Sequence, residues 1–369
     1  MRSPRAYRDA VQSRVRAVLD ALGDDASARV VRAPGRVNLV GDHTDYNDGF
    51  CLPMAIDRDC LVGVRPTGDG RVRARSLDVD GVVEWERGPP ATVEPAWGRF
   101  VAAAARRAGV TGVELAVSST VPLGSGLSSS AALSVALVLA LSPDRDPRSV
   151  AGAARQVEVE ATGVPVGLMD QLASTLGRAG AALRLDCRTL AVEVVPLPAT
   201  VRVGVVHSGL PRTLATSEYA ARRAACEAAA RRLGVASLRD ARPDQVTDDP
   251  LARHVVSENG RVLEAAAALR AGDVERVGRL LVASHASLRD DFAVSTPELD
   301  QLVDLLVEEG ALGARLTGAG FGGCVVALTT AADGAALDRA AERYAAATRL
   351  QPRAFPVRAV DGAGPVPVS

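Results

Sequence analysis

Ala33-Pro34-Gly35-Arg36-Val37-Asn38-Leu39-Val40-Gly41-Asp42-His43-Thr44-Asp45-Tyr46-Asn47 gathers an arginine, two carboxylates, a histidine and a threonine into a turn-rich stretch between apolar runs. Polar groups at this density cost free energy when buried unpaired, so something must hydrogen-bond to them. A polyhydroxylated ligand such as a sugar fits, because each hydroxyl both donates and accepts. A charged surface turn is the plainer reading of the same residues.

Further along, Val121-Pro122-Leu123-Gly124-Ser125-Gly126-Leu127-Ser128-Ser129-Ser130-Ala131-Ala132 follows a predicted strand and opens a strongly apolar helix. Glycines let the backbone approach an anion, and a helix start offers unpaired amides and the positive end of its dipole. The serines add hydroxyls for phosphate oxygens or a magnesium ion. A second dense glycine loop, Leu316-Thr317-Gly318-Ala319-Gly320-Phe321-Gly322-Gly323-Cys324, lies near the far end of the chain. A helix cap and a tight hairpin are the bland readings of these two loops.

Composition narrows the chemistry. All 43 basic residues are arginine, and lysine is absent. A Walker-type phosphate loop and the usual protein-kinase site both need a lysine, so neither exists here. Any ATP phosphates must be held by arginine, magnesium and backbone amides. A formal net charge of −1 argues against an electrostatic grip on nucleic acid or an acidic membrane. Cys51, Cys60, Cys187, Cys226 and Cys324 show no metal-ligand spacing and read as free thiols in a reducing cytosol. Met1 to Leu22 lacks a secretory apolar stretch, and the run Ala131 to Leu141 is too short to span a bilayer. The expectation is a soluble cytoplasmic protein.

Apolar spacing predicts helices over 6–22, Trp97 to Ala108, Ser128 to Leu141, 148–162, 214–233, 258–270, 273–288, 297–308 and 332–347. Strands are predicted near 29–33, 50–65, 71–76, Val113 to Ser119, 181–187 and 201–207, with a glycine-rich pair over 313–328 and a final strand. Gly68-Asp69-Gly70 reads as a hairpin turn joining 50–65 to 71–76. Strands concentrate early and helices later, an α+β pattern with two lobes. Pro196-Leu197-Pro198 marks the boundary, giving an N-terminal lobe 1–195 and a C-terminal lobe 196–369.

Gly35-Arg36-Val37-Asn38 followed by Gly41 to Asn47 resembles the N-terminal signature of galactokinases. The two glycine loops resemble the second and third motifs of the GHMP small-molecule kinases, the superfamily that contains them. Leu214-Ala215-Thr216-Ser217-Glu218-Tyr219, Arg253 to Glu258 and Ser284 to Phe292 extend the likeness over about 30–330. The resemblance implies the GHMP fold, with the site between a mixed-sheet lobe and a helix-rich lobe. It implies transfer of the ATP γ-phosphoryl group to the anomeric hydroxyl of galactose. Asp170 becomes the catalytic carboxylate with Arg36 beside it, and a guanidinium favours a charged, weakly basic carboxylate. Gly124, Ser125, Gly126, Leu127, Ser128, Ser129 and Ser130 become the nucleotide loop. Ser130 and Glu158 become magnesium ligands, leaving Glu160 as a solvated helix residue. Asp42, His43, Thr44, Asp45, Gly167 and Tyr219 become the sugar contacts. His254, His285, Asp290 and Asp291 read as structural.

The chain departs from the family pattern at four places. Asp42 stands where glutamate is usual, and Val166 where cysteine is common. His207 to Pro211 differs from an asparagine-rich segment, and Ala319 replaces a glycine. Changes near the sugar keep N-acetylgalactosamine and arabinose open as substrates. A non-catalytic sensor of ATP and galactose is the reading from another class.

Overall fold

The computed structural model describes residues 4–86, 88–90, 92–210, 215–330 and 335–367. In chain order it contains α1 (Pro4–Ala21), β1 (Arg29–Asn38), β2 (Phe50–Cys51), β3 (Pro53–Pro66), β4 (Val72–Ser76) and β5 (Val82–Trp85). Next come α2 (Gly98–Ala108), β6 (Val113–Ser119), α3 (Ser129–Leu141), α4 (Pro147–Thr162), α5 (Met169–Leu176), β7 (Ala181–Asp186), β8 (Val192–Pro196) and β9 (Val201–His207). The remainder is α6 (Ala215–Leu233), α7 (Pro250–Ala271), α8 (Val274–Asp290), α9 (Pro297–Glu308), β10 (Gly313–Thr317), β11 (Cys324–Thr330), α10 (Ala336–Thr348), β12 (Arg353–Val357) and β13 (Gly364–Val366). Pro211, Leu214 and the expected helix start at 332–334 lie outside the described residues.

Helix ends follow local chemistry. Asp146 caps α4 by accepting from the Arg148 and Ser149 amides, with Pro147 as first helical residue, and Gly163 closes the helix in the left-handed region. Asp249 with Pro250 opens α7, and Thr296 with Pro297 opens α9, in the same way.

Among the described residues there are three sheets, with strand orders β13-β1-β3-β6-β4-β5, β10-β11-β9-β12 and β2-β7-β8. The fold is α+β with mixed sheets, as expected. The hairpin expected at Gly68–Gly70 is not one: β6 lies between β3 and β4, antiparallel to the first and parallel to the second. The turn reverses the chain, but Thr67 N donates to Gly112 O and Val113 N to Arg71 O, so the later strand fills the gap. A turn signal records a change of direction and says nothing about which strand will pair. Likewise α5 and β8 form where no element was expected, and α7 starts eight residues before the predicted position.

The expected boundary at 195/196 falls inside β8, and the C-terminal segment crosses it: β13 pairs with β1, Ile56 bridges Ala359, and α7 packs on β2, β7 and β8. Helix α3 is buried almost all round and packs on β1, β3, α2, α4 and α5, which makes it a rigid platform for the loop before it. No helix of the described residues is long and apolar enough to cross a membrane.

Candidate active site

Strand β1 delivers Arg36 to the cleft. Its register slips between Pro34 and Arg36, and a Cβ on Gly35 would lie 2.6 Å from Leu127 O, so only glycine permits the approach. Arg36 N then donates to Leu127 O at 3.1 Å, tying the strand to the glycine loop 124–130. From the same residue, Nη1 donates to Gly126 O at 2.6 Å, while Nε and Nη2 reach Asp170 Oδ1 and Oδ2, each at 2.8 Å. Asp170 sits in the first turn of α5, where the helix dipole favours a negative group.

Loop 124–130 turns through left-handed glycines, Gly124 (φ 66°) and Gly126 (φ 83°). Gly318 of the second glycine loop packs on it, where a Cβ would meet Gly126 O at 3.1 Å. At the start of α3 the N-cap Ser128 makes no side-chain bond to the first-turn amides, which suits an anion there. Gly124, Gly126, Ser128, Ser129 and Ser130 line the cleft. Ser125 and Leu127 do not: Ser125 Oγ donates to Pro122 O at 2.7 Å, and Leu127 is fully buried. Those two shape the loop from behind.

Ser130 Oγ donates to Glu158 Oε1 at 2.6 Å, and Gln171 Nε2 donates to Glu158 Oε2 at 2.7 Å. Burial pushes the Glu158 carboxyl up to about 7, against the pull of those two donors. Glu160 instead pairs with Arg106 and Arg107 near the surface. Gln171 was not singled out in the sequence. Its only signal was adjacency to Asp170.

The remaining wall comes from the 41–50 turn. Asp42 is 2% exposed. Its Oδ1 accepts from Asn38 Nδ2 at 2.9 Å, and its Oδ2 is ion-paired with Arg315. Burial raises the Asp42 carboxyl, and the Arg315 guanidinium pulls it back. Arg315 is wholly buried, its Nη1 donates to Leu39 O at 3.1 Å, and sequence reasoning passed over it. The available hint was an arginine inside the otherwise apolar strand before the second glycine loop.

Asp45 lines the cleft beside Gly167, where a Cβ would come within 1.6 Å of Asp45 Oδ2. Burial, helped by the nearby Asp170 charge, raises its carboxyl to about 6. His43 also lines the cleft, and burial lowers its imidazole to about 3, so it is neutral at physiological pH. Tyr46 OH lies 2.8 Å from His43 Nδ1. Burial pushes the Tyr219 hydroxyl well up, which keeps it a donor at the cleft wall.

Thr44 faces away from the cleft, with Oγ1 at 2.9 Å from Gly41 O and 2.7 Å from Phe50 O. It closes the turn instead. Helix α7 supports that turn from behind: Glu258 Oε1 accepts from Gly41 N at 2.8 Å, Asn259 Oδ1 from Phe50 N at 2.8 Å, and His254 Nε2 lies 3.2 Å from Asp42 O. Burial opposes ionisation of Glu258, yet Arg261 and its neighbours hold it at about 2. His254 Nδ1 lies 2.9 Å from Ser287 Oγ, His285 Nε2 lies 3.1 Å from Asp300 Oδ1, and Asp291 pairs with Arg253 at 2.6 Å.

A cleft of about 330 Å³ joins the carboxylate cluster to the glycine loop. The chain has no lysine, so the groups this lining could offer an anion are Arg36, backbone amides and hydroxyls. Models of the GHMP kinases' N-terminal domain and C-terminal region match residues 96–178 and 265–348. A solved mevalonate kinase of Methanococcus jannaschii shares the fold alone, with a TM-score of 0.65 at 19% identity over 91% of this chain and 99% of that one. The class is therefore a GHMP kinase.

The galactokinase galactose-binding signature matches residues 20–66. A galactokinase of Chloroflexus aurantiacus is 46% identical over 82% of this chain and 84% of its own length. One from Roseiflexus sp. is 44% identical over 91% and 93%. The solved galactokinase of Lactococcus lactis, complexed with galactose, superposes with a TM-score of 0.85 at 30% identity, covering 96% of this chain and 98% of that one. The chain belongs to the galactokinase family.

Proposed function

We propose that the enzyme transfers the γ-phosphoryl group of ATP to the anomeric hydroxyl of D-galactose, giving α-D-galactose 1-phosphate and ADP. The observation that carries this is the Arg36–Asp170 pair, held at 2.8 Å through both oxygens between the glycine loop and the polar turn. Phosphoryl transfer passes through a loose transition state that requires little deprotonation early on, so a weakly basic carboxylate suffices. Asp170 orients the attacking hydroxyl and takes its proton late. Arg36 balances charge on the transferring group. Asp42, His43, Asp45, Gly167 and Tyr219 grip the sugar, and a site built to pair a hydroxyl rejects an epimer that leaves it unpaired. A cytoplasmic location suits five cysteines of which none is in a disulfide.

Magnesium fits the residues present. Glu158 is 6% exposed, and its hydrogen-bond donors are a serine hydroxyl and a glutamine amide, both neutral. Ser130 and Glu158 offer hard oxygen donors at the cleft wall and would hold the ion, with substrate oxygens and water completing its shell. When bound, the ion neutralises charge on the phosphate oxygens.

The test is ADP release with Mg-ATP against galactose, N-acetylgalactosamine, arabinose and glucose. Turnover led by galactose, with glucose poor, is expected. Turnover led by another sugar reassigns the substrate, and sugar binding without turnover favours the sensor.

Asp45 sets a pH dependence. Its carboxyl titrates near 6, so the ionised form, which accepts hydroxyl hydrogens, dominates above that pH. The KM for galactose is expected to rise about tenfold between pH 7 and pH 5. Asp45→Asn should flatten this rise; a profile unchanged by that substitution removes Asp45 from sugar binding.

A further inference from the structure

Ser128 occupies the N-cap position of α3, where a serine ordinarily adopts an extended backbone and accepts from an amide of the first turn. Here it does neither. Its backbone is left-handed (φ 63°, ψ 46°), and its side chain makes no capping bond. A non-glycine residue in that region is strained and persists only where its surroundings hold it. The hydroxyl is turned to the opposite side, where Oγ donates to Asp170 Oδ2 at 2.6 Å.

A serine hydroxyl has one proton. Given to Asp170, it cannot also be given to a phosphate oxygen, and the lone pairs that remain repel an anion. The adjacent serines also line the cleft, and Ser130 likewise gives its proton to a carboxylate, but to that of Glu158 rather than Asp170. Asp170 is thus held from two sides, by the Arg36 guanidinium across both oxygens and by Ser128 on Oδ2. Both holds lead back to the glycine loop, since Arg36 also donates to Gly126 O. The side chain of Asp170 keeps 28% exposure, through which it meets the cleft.

We propose that Ser128 is a positioning residue for Asp170 rather than a ligand of the nucleotide phosphates, its hydroxyl fixing the rotation of the carboxylate that meets the sugar. The inference rests on the reading of Asp170 as the reactive carboxylate. In this arrangement the loop that surrounds the nucleotide also aims the group that receives the sugar's proton. Both substrates are thereby registered to one rigid segment.

The test is a double-substitution cycle. Ser128→Gly removes the hydroxyl while suiting the left-handed backbone, so the fold should survive; Ser128→Ala removes the hydroxyl and keeps the strain. Both are expected to lower kcat by about 10- to 100-fold, the scale of a misplaced reacting group, with the KM for ATP changed less than about threefold. Combined with Asp170→Asn, Ser128→Gly should cause no further loss, because it acts through the group already removed. A raised KM for ATP with unchanged kcat makes Ser128 a phosphate ligand and overturns the proposal. Losses that multiply in the double variant overturn it as well, while leaving Asp170 in place. Near-normal turnover of Asp170→Asn alone removes the parent reading and the proposal with it.

Discussion

Asp170→Asn is expected to lower kcat about a hundredfold or more while leaving galactose affinity within a few-fold of the parent enzyme. The substitution preserves side-chain volume, so packing in the first turn of α5 should persist. It removes the charge that faces Arg36 and one acceptor that Arg36 and Ser128 now share. In the proposed site Asp42, His43, Asp45 and Tyr219 would hold the sugar, and they do not depend on Asp170 for their own bonds. Initial rates of ADP release with saturating galactose, set beside direct sugar binding, separate the two effects. Turnover close to that of the parent would take Asp170 out of the mechanism.

The second large effect concerns stability. Arg315→Met is expected to destabilise the fold by about 3–5 kcal/mol, because it leaves the buried Asp42 without its cation. Asp42 and Arg315 are 2% and 0% exposed, so no solvent replaces the lost partner. Glu258 lies close enough to feel the same guanidinium, which adds to the loss. Asp42→Asn in the same chain should recover part of the stability, since it neutralises the orphaned carboxylate. Denaturant unfolding of the single and double variants measures both terms. A single variant as stable as the parent would mean that the ion pair merely offsets its own desolvation. Because Asp42 also lines the cleft, galactose binding should weaken in the destabilised variant.

Local pattern carried much of the fold. Val113–Ser119, Val201–His207 and Pro297–Glu308 lie where their period or runs put them, and the glycine loop opens α3 at Ser129. The pairing of Arg36 with Asp170, and of Ser130 with Glu158, followed from the likeness to the galactokinase motifs. It did not follow from spacing, since 134 residues separate the first pair. The Gly68–Gly70 turn misled because β6 inserts between the strands it joins. Thr44 and Ser125 sit inside motifs of polar residues, yet their hydroxyls turn inward to close turns. A motif records which residue types gather in a segment; whether each faces the cleft depends on backbone torsions such as the positive φ of His43 and Ser128.

The sequence alone settled the chemistry available. With arginine as the only basic side chain, any phosphate binding was left to arginine, magnesium and backbone amides, and the turn at 42–47 either met a polar ligand or lay at the surface. Only the tertiary structure decided which of those groups are spent on the fold and which are left for substrate. Arg315 reaches Asp42 across 273 residues, and Ser128 abandons its helix for a carboxylate on another. Such choices turn on where each proton and lone pair finds its partner. A hydroxyl's single proton or a carboxylate's last lone pair is committed only when distant segments pack together.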